Sequence, residues 1–278
     1  MKGCPLRCVW CHNPEGIGSR PVLSFMPDKC IGCGHCAEVC PRGAHVLADG
    51  RHSLLRDRCA ACGLCAEKCY AVALEIVGRE MTVQEVIEEV LKDQPFYETS
   101  GGGMTLSGGE PLFQIDFTVA LLQAARRARL HCCMETCGSA DFEALRRTIP
   151  LVDLFLYDVK DTDERRHAAN TGAGVRRILD NLRRLHEAGA RIRLRLPLVP
   201  GCNDAEDNFR GIAGLVSQLP GLEGVEVMPY HDLGTSKRDR LGLPRPPGAR
   251  IGMADRPQIS TWLARLEQLG VPVLNEKS

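Results

Sequence analysis

Residues 3–16 read GCPLRCVWCHNPEG. Cys4, Cys8 and Cys11 stand in C-x3-C-x2-C spacing within this one run. Chain ends fray unless something ties them down, so three reactive thiols at such a place imply a bound group. Three thiolates can hold a cubane iron–sulfur cluster and leave one iron open. An open coordination position marks a metal centre that does chemistry on a bound molecule. A zinc knuckle, or a chance grouping in a Cys-rich chain, is the plainer alternative.

Working outward, the 278-residue chain carries fifteen cysteines and balances 35 Lys and Arg against 35 Asp and Glu. That length buries a sizeable core. Zero net charge argues against a general nucleic-acid or membrane-surface binder. No apolar run approaches the ~18–20 residues of a membrane span, and none resembles a secretory leader. A cytoplasmic location is expected. The cysteines crowd two or three residues apart, too tightly for long-range disulfide staples, so thiolate–metal chemistry is the better reading.

Composition divides the chain into residues 1–20, with the first cysteine triplet, residues 21–78, with eight more cysteines, and residues 79–278. The middle zone is an internal repeat, CIGCGHCAEVC against CAACGLCAEKC. Cys30, Cys33, Cys36 and Cys40 spell C-x2-C-x2-C-x3-C, with Pro41 following, and Cys59, Cys62, Cys65 and Cys69 repeat the spacing. This is the bacterial ferredoxin pattern for two 4Fe–4S clusters. Each tight loop caps one cubane and lends its fourth cysteine to the other. One cluster should take Cys30, Cys33, Cys36 and Cys69, the other Cys59, Cys62, Cys65 and Cys40. Structural zinc, which pairs two separated Cys arms, fits poorly.

From residue 80 helix-like and strand-like segments alternate. Thr82 and Glu85 form a capping box before an amphipathic helix, and strands are expected near 104–107, 132–136, 151–159, 191–199 and 225–229. Further helices are expected near 116–129, 174–188, 205–218 and 256–269. The alternation predicts an α/β fold with right-handed crossovers and a parallel sheet or barrel. SGGEP, ETCG, DVK, Arg195 and PYH fall at the C-terminal ends of these strands, where (β/α) barrels build their sites. Each alone can be a turn or a solvated charge. Cys132, Cys133, Cys137 and Cys202 lack ligand spacing and read as small buried hydrophobes.

GCPLRCVWCHNPEG resembles the cluster loop of the radical S-adenosylmethionine enzymes, with Trp10 at its aromatic position. GGGMTLSGGEP, METCG, YDVKD and MPYHDLG follow in the order found in glycyl-radical-enzyme activating enzymes, the family of pyruvate formate-lyase activase. The insert resembles that of the larger activases. The resemblance implies a partial (β/α)6 TIM-like barrel with an inserted two-cluster ferredoxin-like domain. It implies three 4Fe–4S clusters in all and S-adenosylmethionine.

By position, Cys4, Cys8 and Cys11 would hold the cluster whose open iron chelates S-adenosylmethionine, and Trp10 and His12 would flank the adenine. Gly108, Gly109 and Glu110 match the motif along the methionine amino group. Asp158 and Lys160 match the pair that meets the amino and carboxylate ends. His231 matches a ribose contact and Arg195 an arginine near the sulfonium. Glu135 and Thr136 stand where some members bind a monovalent cation. The implied activity is an oxidoreductase's: an electron from a flavodoxin- or ferredoxin-type donor cleaves the sulfonium, and the 5′-deoxyadenosyl radical takes a hydrogen from a glycine Cα of a partner glycyl radical enzyme. Family members also carry two or three dozen residues before this loop, including the first barrel strand, so an N-terminally shortened chain is expected. The competing readings are a radical S-adenosylmethionine enzyme acting on a small molecule and a ferredoxin-like carrier with an inactive barrel.

Overall fold

The computed structural model describes residues 1–244 and 251–275. No site residue named above lies outside them. The middle zone contains β1 (Val22–Phe25), α1 (His35–Val39), β2 (His45–Ala48), β3 (Arg51–Leu54), α2 (Leu64–Glu67) and β4 (Leu74–Val77). β1 pairs antiparallel with β4, and β2 with β3. The first and last strands of the zone therefore close on each other, and the zone leaves and re-enters the rest of the chain at one place. Leu23, Phe25, Cys65, Ala73 and Leu74 form its small core. Gly34 and Gly63 cap α1 and α2 at φ 86° and 89°, a left-handed geometry that favours glycine.

Beyond it run α3 (Val83–Leu91), α4 (Gln94–Ser100), β5 (Gly103–Leu106), α5 (Ile115–Arg127), β6 (His131–Thr136), α6 (Phe142–Thr148), β7 (Leu154–Asp158), α7 (Glu164–Thr171), α8 (Arg176–Glu187), β8 (Ile192–Leu198), α9 (Glu206–Ser217), β9 (Val225–Pro229), α10 (Leu233–Arg240) and α11 (Arg256–Gln268). The capping box forms as expected: Glu85 N donates to the Thr82 hydroxyl at 3.2 Å, and Thr82 N to Glu85 Oε2 at 2.7 Å. β5 to β9 make one five-stranded sheet in sequence order, parallel at every pairing. Helices intervene between successive strands, so every strand points the same way and every C-terminal end meets at one edge. The expected partial barrel is represented by these five strands among the described residues.

Strand alternation sorts the side chains. In β8, Ile192, Leu194, Leu196 and Leu198 are buried in the main core, while Arg193, Arg195 and Pro197 on the other face are half-buried. Each fully buried Leu or Ile contributes ~1.5–3 kcal/mol, so this face fixes the register. The strand expected over 151–159 begins only at Leu154, because Ile149–Leu151 coils into a 3-10 turn around Pro150. α7 and α10 were not legible as helices: ERRHAANT and LGTSKRDR carry too little apolar periodicity. No described helix is long and apolar enough to cross a membrane.

Candidate functional site

The loop of residues 3–17 is irregular, yet its backbone is tied at both flanks. Gly3 N donates to Gly16 O at 2.8 Å and Cys4 N to Ile17 O at 3.0 Å. Arg7 N reaches Thr171 O at 2.7 Å and Val9 N reaches Asn170 O at 2.9 Å, which docks the loop on the end of α7. On the far side Lys237 of α10 donates to Asn13 Oδ1 at 2.9 Å and to Glu15 Oε1 at 2.8 Å. Leu6, Cys8 and Trp10 turn inward to pack with Cys137, Val199 and Tyr230. The three cysteines thereby enter one cavity of about 560 Å³, within the usual range for small-molecule sites.

Every residue proposed from the barrel motifs lines that same cavity. Asp158 and Arg195 are cross-strand partners, and Arg195 is paired with Glu226 on the next strand. Arg195 bonds Glu135 and lies 3.3 Å from Glu226 Oε2, so it faces the cavity and not bulk solvent. The hydroxyl of Ser107 donates to Glu135 Oε2 at 2.6 Å. Glu135 therefore serves an arginine and a serine in this structure. Lys160 Nζ lies 2.7 Å from Asp158 Oδ2 and both are largely buried. Burial alone would lower the Lys160 ammonium, but Asp158 and the thiols of Cys8 and Cys137 outweigh it and hold the lysine above its ordinary value. His12 and His231 stack at 3.9 Å, with Tyr230 5.3 Å from His12.

Glu110 and Gly109 also serve the protein's own structure. Glu110 is 1 % exposed, and its carboxylate is consumed by the protein. It accepts from Leu112 N at 3.1 Å, Thr136 Oγ1 at 2.7 Å and Cys137 N at 2.8 Å. Its work is to clamp the end of β6 to the loop after β5. Burial pushes its carboxyl up, opposed by those same hydrogen bonds. Gly109 is glycine for a reason nearer than a ligand: a Cβ there would sit 2.3 Å from Gly3 O and 2.6 Å from Gly16 O. The motif braces the cysteine loop by backbone contact, with Glu110 N donating to Gly3 O at 2.7 Å.

All fifteen thiols are free. Burial pushes Cys8 up to about 12, whereas contact with the Cys137 thiol brings Cys4 down to about 7. Cys137, expected as a buried small hydrophobe at the edge of the site, is buried and lines the cavity beside Cys4. Cys133 and Cys202 are half-buried, not buried, because Cys133 lies on the cavity-side face of β6 and Cys202 sits in the turn after β8. In the middle zone one small cavity is lined by Cys30, Cys33, Cys36 and Cys69, and another by Cys59, Cys62, Cys65 and Cys40. Ala44 N meets Cys40 Sγ at 3.3 Å and Ala73 N meets Cys69 Sγ at 3.2 Å, the same contact in each half.

Sequence reasoning missed the asparagines that hold the strand ends. Asn203, fully buried, accepts from Val199 N at 2.8 Å and donates to Lys160 O and Pro197 O, each at 2.6 Å. Asn208 Nδ2 donates to Asn203 O at 2.7 Å and its Oδ1 accepts from Thr162 N at 2.9 Å. His167 holds Ala173 O at 2.6 Å and bonds Thr171, whose carbonyl takes Arg7 N. Asn203 stands in the loop after β8, Asn208 in the first turn of α9 and His167 inside α7, and no spacing in the sequence ties them together.

The family model of the Radical SAM superfamily matches residues 1–210. The choline trimethylamine-lyase activating enzyme of Oleidesulfovibrio alaskensis is 40% identical over 261 residues, covering 92% of this chain and 84% of that protein. The benzylsuccinate synthase activating enzyme of Thauera aromatica is 41% identical over 249 residues, covering 87% and 75%. Among solved structures, a domain of the pyruvate-formate lyase-activating enzyme from Bacteroides vulgatus superposes with a TM-score of 0.52 at 25% identity. The match covers 62% of this chain and 97% of that one.

Proposed function

The chain belongs to the radical SAM superfamily and is one of its activating enzymes for glycyl radical enzymes, and from that premise we propose how its residues divide the work. Cys4, Cys8 and Cys11 hold a 4Fe–4S cluster, and S-adenosylmethionine occupies the remainder of the cavity. When bound, these groups supply one-electron cleavage of the sulfonium and, from it, hydrogen abstraction at a glycine Cα. The fit rests on three soft donors, two of them kept as thiols by burial and able to release their protons on binding metal, facing one cavity with a buried cation and a buried imidazole nitrogen, His12 Nε2, that has no partner among the described residues.

The chain's own residues bind, orient and exclude water. Lys160, steered by Asp158 and by Asn203 on its carbonyl, presents a fixed positive charge to a carboxylate. Asp158 meets an ammonium. Gly108 and Gly109 offer bare backbone beside the cysteine loop, with Glu110 holding that backbone from behind. Trp10, His12 and His231 shape the wall for a purine and its ribose. Arg195, paired with Glu135, stands at the end nearest the open edge of the strands. The apolar packing of Leu6, Trp10, Val199 and Tyr230 keeps the chamber dry.

The eight cysteines of residues 21–78 hold two further 4Fe–4S clusters, each with three ligands from one half and the fourth from the other. They receive electrons from a flavodoxin- or ferredoxin-type donor. The protein substrate is a glycyl radical enzyme, of the lyase, dehydratase or synthase kind that the relatives' names describe.

The observation that carries this reading is the convergence of the cysteine loop with Gly109, Asp158, Lys160, Arg195 and His231 on one cavity. The test is anaerobic reconstitution with iron and sulfide, addition of S-adenosylmethionine and a strong reductant, and quantification of 5′-deoxyadenosine. Wild type should form it and Cys8→Ala should not. Equal yields from both would refute the ligand assignment, and none from a fully loaded wild type would favour an electron carrier.

A further inference from the structure

The two halves of the middle zone are related by a shift of 29 residues, which takes Cys30 to Cys59 and Cys40 to Cys69. The same shift takes Leu23 to His52 and His45 to Leu74. The first cavity is bounded by His52 and Leu74, the second by Leu23 and His45. Each cavity thus has one imidazole where the repeat has leucine in the other. The two histidines are diagonal neighbours on the β2–β3 hairpin, since Leu47 stands opposite His52. Their rings meet, His45 Nδ1 to His52 Nε2, at 2.9 Å.

The outer ends of this pair differ. His52 Nδ1 lies 3.5 Å from Cys30 Sγ, while its inner nitrogen, Nε2, passes 3.7 Å from Cys36 Sγ. His45 is 6 % exposed, and its Nε2 has no hydrogen-bond partner among the described residues. A neutral pair has two ring hydrogens for three positions, and the contact between the rings takes one. Only one outer nitrogen can then donate. The Cys30 sulfur faces the outer nitrogen of His52, whereas the outer nitrogen of His45 faces no acceptor among the described residues, so the His52 end is where the hydrogen is best placed.

We propose that the His45–His52 pair makes the two clusters of residues 21–78 unequal: His52 donates to the Cys30 thiolate, His45 holds it there, and the Cys30/Cys33/Cys36/Cys69 cluster is the more easily reduced of the two. This rests on the two-cluster reading above. A hydrogen bond to a cluster thiolate stabilises the reduced state, which carries more negative charge. The backbone contacts from Ala44 and Ala73 are equivalent in the two halves and cancel in the comparison. One backbone contact has no counterpart among the described residues and favours the other half, Ala61 N to Cys59 Sγ at 3.4 Å; the imidazole donor outweighs it and makes the Cys30 cluster the station that fills first.

The test uses the full chain, reconstituted anaerobically, with iron counted and midpoint potentials read by EPR during reductive titration. His52→Leu copies the residue that the other half carries. It should retain about twelve irons and lower the higher of the two insert midpoints by about tenfold in the reduction equilibrium, ~59 mV for one electron. The other two midpoints should stay. His52→Gln, which keeps a side-chain N–H, should stay near wild type. Full iron with unmoved midpoints in His52→Leu, or movement of the lower midpoint, overturns the proposal alone. Should His52→Leu shed iron, His52→Met, which also lacks an N–H, takes its place: a lowered midpoint beside an unchanged one in His52→Gln supports the proposal, and an unmoved one overturns it. A wild type holding only about four irons removes the two-cluster reading and the proposal with it.

Discussion

Asn203→Ala tests whether Lys160, the buried lysine of the cavity, is held by its backbone. Asn203 makes three hydrogen bonds inside the protein: it accepts from Val199 N and donates to the carbonyls of Lys160 and Pro197. Truncation orphans a buried N–H, at about 1–3 kcal/mol, and removes two further bonds at about 0.5–1.5 kcal/mol each. The sum is about 4 kcal/mol, a large share of the ~5–15 kcal/mol that keeps a domain folded. At ~2–4 °C per kcal/mol for a chain of this size, Tm should fall by roughly 8–16 °C. The functional loss should exceed what unfolding explains, because a displacement of about 1 Å at a positioned group can cost ~100-fold. Urea unfolding gives the first quantity, and the rate of 5′-deoxyadenosine formation well below the new Tm gives the second. Asn203→Asp keeps the acceptor but turns a carboxylate oxygen on two carbonyls, so it should be no milder. Stability within about 1 kcal/mol of wild type, with unchanged cleavage, would refute the reasoning.

Gly109→Ala places a Cβ against the backbone of Gly3 and Gly16; it should displace the cysteine loop and cost about four of the bound irons, read by iron analysis. Cys69→Ala should give the same residual EPR spectrum as Cys30→Ala, and Cys40→Ala the same as Cys59→Ala; any other grouping contradicts the interleaved ligands. Burial raises the Glu110 carboxyl in the folded state, so the folded protein holds that proton more tightly than the unfolded chain does. Its stabilising contribution is full below the ordinary carboxylate range and is lost as pH rises through the raised value. Glu110→Gln should flatten that part of the stability–pH curve, measured by urea midpoints across acid to neutral pH.

Much of the site was legible because its residues serve backbone geometry and metal-ligand spacing, which a sequence states openly. The first cysteine triplet, the Gly-Gly-Glu stretch and Asp158-x-Lys160 line one cavity, and the eight cysteines of the middle zone line two smaller ones. Glu110 was visible but its direction was not: whether a carboxylate faces a ligand or three N–H and O–H donors depends on β6, more than twenty residues away. Arg195 illustrates the same limit, since alternating arginines in RIRLR fit either a solvent face or a cavity face. The sheet came through from apolar alternation, whereas α7 and α10 did not, because their hold on the cysteine loop is made by carbonyls and one lysine. His45 and His52 looked unremarkable in the text, and only the hairpin brings them together.

The bond between Glu15 and Lys237 spans 222 residues. A ribosome adding ~5–20 residues per second needs about 11–44 s to cover that distance. Over about the first 150 of those residues α7 is not yet made, and over nearly all of them α10 is not. The thiols of residues 30–69 are in a different position, since their partners all lie within the same short stretch. On the proposed cluster assignment, the middle zone has its whole ligand set while synthesis continues, and the cavity around Cys4, Cys8 and Cys11 is closed by α10 only near the end of it.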